Sequence, residues 1–253
     1  MKKYIFMAVA CMLALSSCSN DDNDVQNAPR QMTFTAGFGD GAQTRASLSG
    51  FHVSFDTNDA FSVLSENNTT AVQFTTTDAT NFSGTATDDT EFYAVYPHKA
   101  GYTYDGSLGI ISSISIPMYQ SAAATSTCGW DPEAPIAYAT TTGTNFTFHN
   151  LCALLKINND GGYANEIAVS CNEPLTGTFS LNTSSGALSG GTYPSASVLS
   201  VPSGKMIYIA IAPGEKNNFT VKWMGEYDNK TKDKMSVTFE AGKIYDLGNT
   251  SEW

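Results

Sequence analysis

Leu15-Ser16-Ser17-Cys18 sets a cysteine directly after two small residues, at the end of an apolar run that follows Lys2 and Lys3. That spacing carries one chemistry. The thiol takes a lipid, a peptidase cuts before it, and the freed amino group is acylated, as at a bacterial lipoprotein signal. Cys18 is the expected lipidation site, and residues 1–17 are the expected signal peptide. The apolar stretch from Tyr4 to Leu15 is too short for roughly 30 Å of hydrocarbon, which takes about 20 residues. The lipid, and not a mature transmembrane helix, would hold the chain to a membrane.

No pattern for catalysis accompanies this anchor. His52, His98 and His149 lie apart, and there is no Gly-x-Ser-x-Gly elbow, His-Glu-x-x-His helix or phosphate-cradling glycine loop. Neither an enzyme nor a cofactor is expected. Cys128, Cys152 and Cys171 form no Cys-x-x-Cys pair and have no histidine at metal spacing, so no metal site is expected. Cys152 and Cys171 fit either a disulfide of an exported chain or two buried thiols. Asp56, Asp59 and the run Asp88-Asp89-Thr90-Glu91 supply oxygens that calcium could use, but polar acidic loops between strands are the more ordinary reading. Tyr96, Tyr102, Tyr104, Trp130 and Trp223 could stack on sugar rings, although aromatics more often pack sheets.

The elements that must position these residues are strands. Thr, Ser, Gly, Asn, Phe and Tyr dominate the chain, and helical periodicity is nearly absent. Period-2 alternation recurs instead, in short runs bounded by turn residues. Met32-Thr-Phe34-Thr-Ala36-Gly-Phe38 alternates strictly and stops at Gly39-Asp40-Gly41. Further strands are expected at Phe51–Phe55, Ala60–Leu64, Ala71–Phe74, Glu91–Tyr96 and Ile110–Ile116. Beyond them come Phe146–Phe148, Cys152–Ile157, Glu166–Val169, Gly177–Leu181, Met206–Ile211, Phe219–Trp223, Met235–Phe239 and Lys243–Leu247. Ser121–Ala139 reads as a long connector.

Charge divides the chain. The formal net charge of −11 argues against nucleic acid as a partner, since phosphate binding needs a basic face. Gln31–Asn150 holds two basic residues, Arg45 and Lys99, against eleven acidic ones, whereas Leu151–Trp253 holds eight lysines against ten acidic residues. With about seven strands in each half, the expected organisation is two β-sandwich domains, residues 31–142 and 143–253. Residues 18–30, with Asp21, Asp22 and Asp24, have too little to bury to order themselves and form an acidic tether. An acidic run directly after a lipidated cysteine resembles the signal that sends lipoproteins of some Gram-negative anaerobes to the outer face of the outer membrane. It also suits a solvated spacer.

Several segments together resemble the fimbrillin family, the subunits of type V pili and their lipoprotein relatives. They are the lipobox at Cys18, Thr44-Arg45-Ala46, Phe92-Tyr-Ala-Val-Tyr-Pro97, Ile136-Ala-Tyr-Ala139, the run Phe146 to Ile157, and Ala241-Gly-Lys-Ile-Tyr-Asp-Leu247. The resemblance implies an all-β chain of two transthyretin-like antiparallel β-sandwich domains in tandem. It further implies assembly with other pilus subunits by strand exchange: a protease cuts between Arg45 and Ala46, the first strand leaves, and a neighbour's strand fills the groove. Met32, Phe34, Ala36 and Phe38 would be the core-facing residues of that strand, expected at a sheet edge. Gly39–Arg45 has the composition of a protease-accessible loop, and strand loss would expose a groove open to β-augmentation.

Gly248–Trp253 is too short for a donor strand with its linker, given strands of about five to six residues. The expected role is therefore a terminal, anchoring or accessory subunit rather than bulk stalk, held in the outer membrane through Cys18 and facing a host or bacterial surface glycan or protein receptor. The alternative is a monomeric surface lipoprotein that binds glycans.

Overall fold

Apolar residues at every second position commit a chain to pleated strands with one buried face. The computed structural model describes residues 28–39, 55–121, 128–129, 131, 133–134, 136–160, 164–199, 205–225 and 229–252. Their strands begin with β1 (Arg30–Phe38), β2 (Ala60–Leu64), β3 (Val72–Thr76), β4 (Asn81–Ala86), β5 (Phe92–Tyr96), β6 (Thr103–Asp105) and β7 (Ile110–Ile116). There follow β8 (Tyr119–Gln120), β9 (Cys128–Gly129), β10 (Ala137–Thr141), β11 (Asn145–Asn150), β12 (Ala153–Asn159), β13 (Ala164–Ser170) and β14 (Gly177–Asn182). The last are β15 (Leu188–Gly190), β16 (Ser195–Leu199), β17 (Lys205–Ile211), β18 (Gly214–Gly225), β19 (Asn229–Phe239) and β20 (Ile244–Asn249). The only helical element among the described residues is a 3-10 turn at Thr250–Glu252. The protein is all-β.

Four sheets result. Seven strands close a barrel in the order β1-β11-β10-β5-β2-β3-β4, with β4 pairing back to β1. Two sheets, β20-β12-β17-β9 and β19-β18-β13-β16-β8, face each other as a sandwich, and the fourth has the order β15-β14-β7-β6. The barrel interior is built from phenylalanine: Phe34, Phe55, Phe61, Phe74, Phe82, Phe92, Phe146 and Phe148 are all buried there. The sandwich core is aliphatic, with Leu155, Ile157, Ile207 and Ile209 from one sheet against Ile167, Val198, Val221 and Trp223 from the other.

A third core joins the two. β5 buries both faces, sending Phe92, Ala94 and Tyr96 into the barrel and Tyr93 and Val95 to the opposite side. β12 likewise splits Ala153, Leu155 and Ile157 from Leu154, which joins the preceding Cys152 on the other side. The leftover faces of barrel and sandwich pack on Ile111, Ile114, Ile116, Phe179 and Leu181 of the fourth sheet. Pairing also crosses residue 143, which lies in the turn between two barrel strands, β10 and β11; β7 pairs with β14 far beyond it. A division at 143 would part β11 from its barrel neighbours.

The sheets depart from a purely antiparallel arrangement. β1–β11, β12–β20, β16–β8 and β17–β9 are parallel pairs. Alternation reports which face is buried and says nothing of strand direction. β4 carries Asn, Ser, Gly and Thr and reads locally as a turn, yet it pairs with both β1 and β3. Its Gly84 permits the close approach: a Cβ there would lie 2.6 Å from the carbonyl oxygen of Gln73. Part of the expected connector 121–139 is β10, whose Ala137 and Ala139 are small enough to line the crowded barrel wall.

Candidate functional site

β1 alternates exposed Thr33 and Thr35 with buried Phe34 and Ala36, and Met32 and Phe38 are half-buried against the barrel core. The four inward residues named from the sequence thus lie on one face of one strand. The strand is not at an edge, where it was expected. On one side it runs antiparallel to β4, with Phe34 opposite Phe82; on the other it runs parallel to β11, with Ala36 opposite Phe146 and Phe38 opposite Phe148. Two-residue periodicity counts faces and not neighbours, so it could not distinguish an edge strand from a central one.

Main-chain bonds hold both sides of the strand. The Thr35 amide donates to the Thr144 carbonyl at 2.8 Å, the Ala36 amide to Thr80 at 2.9 Å, and the Gly39 amide to Phe148 at 3.0 Å. Outside, the Thr33 and Ser83 hydroxyls meet at 2.9 Å, and the Arg30 guanidinium pairs with Asp88 where the strand begins. The turn that launches β4 is set by Asp78, whose carboxylate accepts from the Asn81 amide at 2.7 Å, the Asn81 side chain at 2.8 Å and the Thr80 amide at 2.9 Å. The Asn81 amide foremost, then the other donors, hold this carboxyl well below the usual carboxylate range.

Aromatic packing fixes the strand's inner face. The Phe34 ring lies 4.8 Å from Phe146, 5.2 Å from Phe92 and 5.3 Å from Phe74, centroid to centroid. Phe38 packs on Phe55 at 4.7 Å and Phe148 at 5.9 Å. Phe55, the last residue of the run expected as a strand at 51–55, plugs this end of the barrel between Phe82, Tyr96 and Phe148. Cys18, Arg45 and Ala46 lie outside the described residues.

Several of the other residues of chemical interest are occupied structurally. His98 shares a 2.8 Å hydrogen bond with Ser62, and burial lowers its pKa. His149 is exposed on β11. Asp89 accepts from the backbone and side-chain amides of Asn67, and Glu91 accepts from the Tyr93 hydroxyl. Tyr96, Tyr102, Tyr104 and Trp223 are buried, so those four supply no exposed platform for a sugar; Trp130 lies outside the described residues.

Cys152 and Cys171 are both free thiols. Burial pushes the Cys152 thiol up to about 12, and it also raises Cys171, which is less enclosed. Because the thiolate is the nucleophile, native alkylation followed by peptide mapping should leave Cys152 unmodified and label Cys171 slowly, with both labelled after denaturation. A Cys152–Cys171 peptide recovered from a non-reducing digest would contradict this.

Two features escaped the sequence: Gln120, which ties two sheets together, and Lys230, Lys232 and Lys234 on β19. Gln120 carries no local signal. The alternating lysines were visible, but which way they face depends on the hairpin's packing.

No protein-family profile matches the chain, and no curated protein matches it in sequence. Solved structures do match. A candidate cell adhesion protein from Bacteroides ovatus ATCC 8483 superposes with a TM-score of 0.56 at 15% identity, over 87% of this chain and 92% of that one. Another, from Bacteroides uniformis ATCC 8492, gives 0.53 at 15% identity, over 87% and 95%. This chain shares their fold.

Proposed function

We propose that this protein is a fimbrillin-like surface lipoprotein, a non-catalytic adhesion or pilus component anchored in the outer membrane through Cys18. Its assembly step is exchange of β1 after cleavage at Arg45. The observation that carries this reading is the construction of β1: a self-contained amphipathic strand, first in the barrel, held between two strands that each lose one of their two main-chain partners if it departs. Removing it would bare the rings of Phe74, Phe92 and Phe146. An incoming strand must supply two phenylalanine-sized groups, worth about 1.5–3 kcal/mol each when buried, and must run in the direction of β1. The shared fold with candidate adhesion proteins of Bacteroides is consistent with a surface role.

The test uses an arginine-specific protease, because Arg30 and Arg45 are the only arginines in the chain. Cleavage at Arg45 should release the N-terminal segment and give dimers or ladders with partner pilus subunits. Arg45→Ala should abolish both, and Arg30→Lys should change neither. A protein cut cleanly at Arg45 that stays monomeric with every partner would overturn strand exchange. Fatty-acid labelling that persists in Cys18→Ala would overturn the anchor.

A further inference from the structure

We propose that the seam between β19 and β20, at the end of the sandwich, is a docking site for an extended acidic segment of another protein. The site is separate from β1 and independent of its exchange. Among the described residues, β19 pairs only with β18 and β20 only with β12, so each sheet ends there on a free edge and no main-chain ladder joins the two. Between them lies a cavity of about 380 Å³ floored by Phe219, Val221, Val237, Phe239, Tyr245 and Leu247. Two free edges flanking an apolar groove are the geometry of strand addition.

The rim specifies the occupant. Lys230, Lys232 and Lys234 alternate along β19, opposite Trp223, Val221 and Phe219 of β18, so all three stand on the groove side with their stems over apolar neighbours. Lys230 lies 5.9 Å over the Trp223 ring. Its ammonium reaches the Thr250 carbonyl at 3.4 Å, and that of Lys232 reaches Leu247 at 3.3 Å. Side chains thus bridge the seam with bonds at the long end of the range. Neither Lys230 nor Lys234 has an ion-pair partner among the described residues; the nearby Asp246 is taken by Lys156 at 2.6 Å. In a chain of net charge −11, this row is a local reversal of sign.

Carboxylates accept shorter and stronger bonds from ammonium groups than carbonyls do. An incoming strand with carboxylates at alternate positions would take over the three lysines and release the β20 edge for pairing. Its continuation would place apolar side chains on Val237 and Phe239. The same lysines repel the β19 edge of a second copy and burden a neutral strand with unpaired charge, so the row selects as well as attracts.

The probe is a fluorescently labelled nine-residue peptide with aspartate at alternate positions in one half and valine in the other, made in both chain directions. Anisotropy with the full chain should show saturable binding by one direction, weakening with salt. A proline at the peptide's centre, or the triple variant Lys230→Glu, Lys232→Glu, Lys234→Glu, should weaken it roughly tenfold or more. Circular dichroism checks the triple variant's fold, and Lys234→Gln, which removes one exposed charge, should weaken binding by itself. Binding that survives the lysine changes, or that ignores the proline, would overturn the proposal. So would a row that binds anionic phosphatidylglycerol vesicles and neither peptide.

Discussion

Phe34→Ala is expected to cost about 3–5 kcal/mol of folding stability, the range for deleting a fully buried aromatic ring. The side chain has no exposed surface and meets three phenylalanine rings within 5.3 Å. The cavity cannot close easily, because β4 and β11 are pinned by ladders on both sides of the strand. Thr33→Ala, one residue away, removes an exposed hydroxyl that bonds Ser83 and should stay within about 0.5 kcal/mol. Urea midpoints at unchanged slope measure both. A Phe34→Ala loss below that of Thr33→Ala would mean the barrel does not depend on its first strand. If β1 is the exchangeable strand, the same substitution should also speed its release once Arg45 is cut.

Gln120→Leu should be comparably damaging. The buried amide of Gln120 accepts from the Ala210 amide at 2.9 Å and donates to the Ala210 carbonyl at 2.7 Å, and it also donates to Pro117 at 3.1 Å. This side chain pairs with β17 as a strand would, tying β8 in one sheet of the sandwich to β17 in the other. Ala210 is buried, so a leucine leaves an amide and a carbonyl without partners. Each costs about 1–3 kcal/mol, which puts the expected loss at roughly 2–6 kcal/mol. Gln120→Glu is the discriminating variant. A carboxylate still accepts from the Ala210 amide but no longer donates to its carbonyl, so lowering the pH should restore part of the stability as the acid protonates. Equal stability of Gln120→Leu and wild type in thermal melts would refute the role.

How much of this was legible beforehand follows from which interactions are local. Alternation in Met32–Phe38 and Phe219–Trp223 told which side chains turn inward, because successive side chains of a strand point to opposite faces whatever the strand pairs with. The same property identified the chain as all-β, and the ordinary place of aromatics in sheets favoured packing over a sugar surface for Tyr96, Tyr102, Tyr104 and Trp223, all four of which are buried. It did not reveal β4, where Asn, Ser, Gly and Thr occupy positions that tertiary pairing makes strand-like, or β16, which opens Ser-Ala-Ser.

Pairing was the part left to the fold. Whether β1 has one neighbour or two, whether β11 runs beside it in parallel, and whether β7 reaches across to β14 depend on partners tens to more than a hundred residues away. No window of sequence contains those contacts. The charge contrast between the two halves was real, but surface charge does not set strand order, so it could not foresee a central core fed from both sides of residue 143. The sequence by itself determined that the chain is all-β and, in strands such as β1, which face turns inward, because successive side chains of a strand point to opposite faces. Only tertiary packing decided the barrel closure, the two-sided grip on β1, the free thiols and the lysine row over an apolar seam, because those depend on which distant surfaces meet.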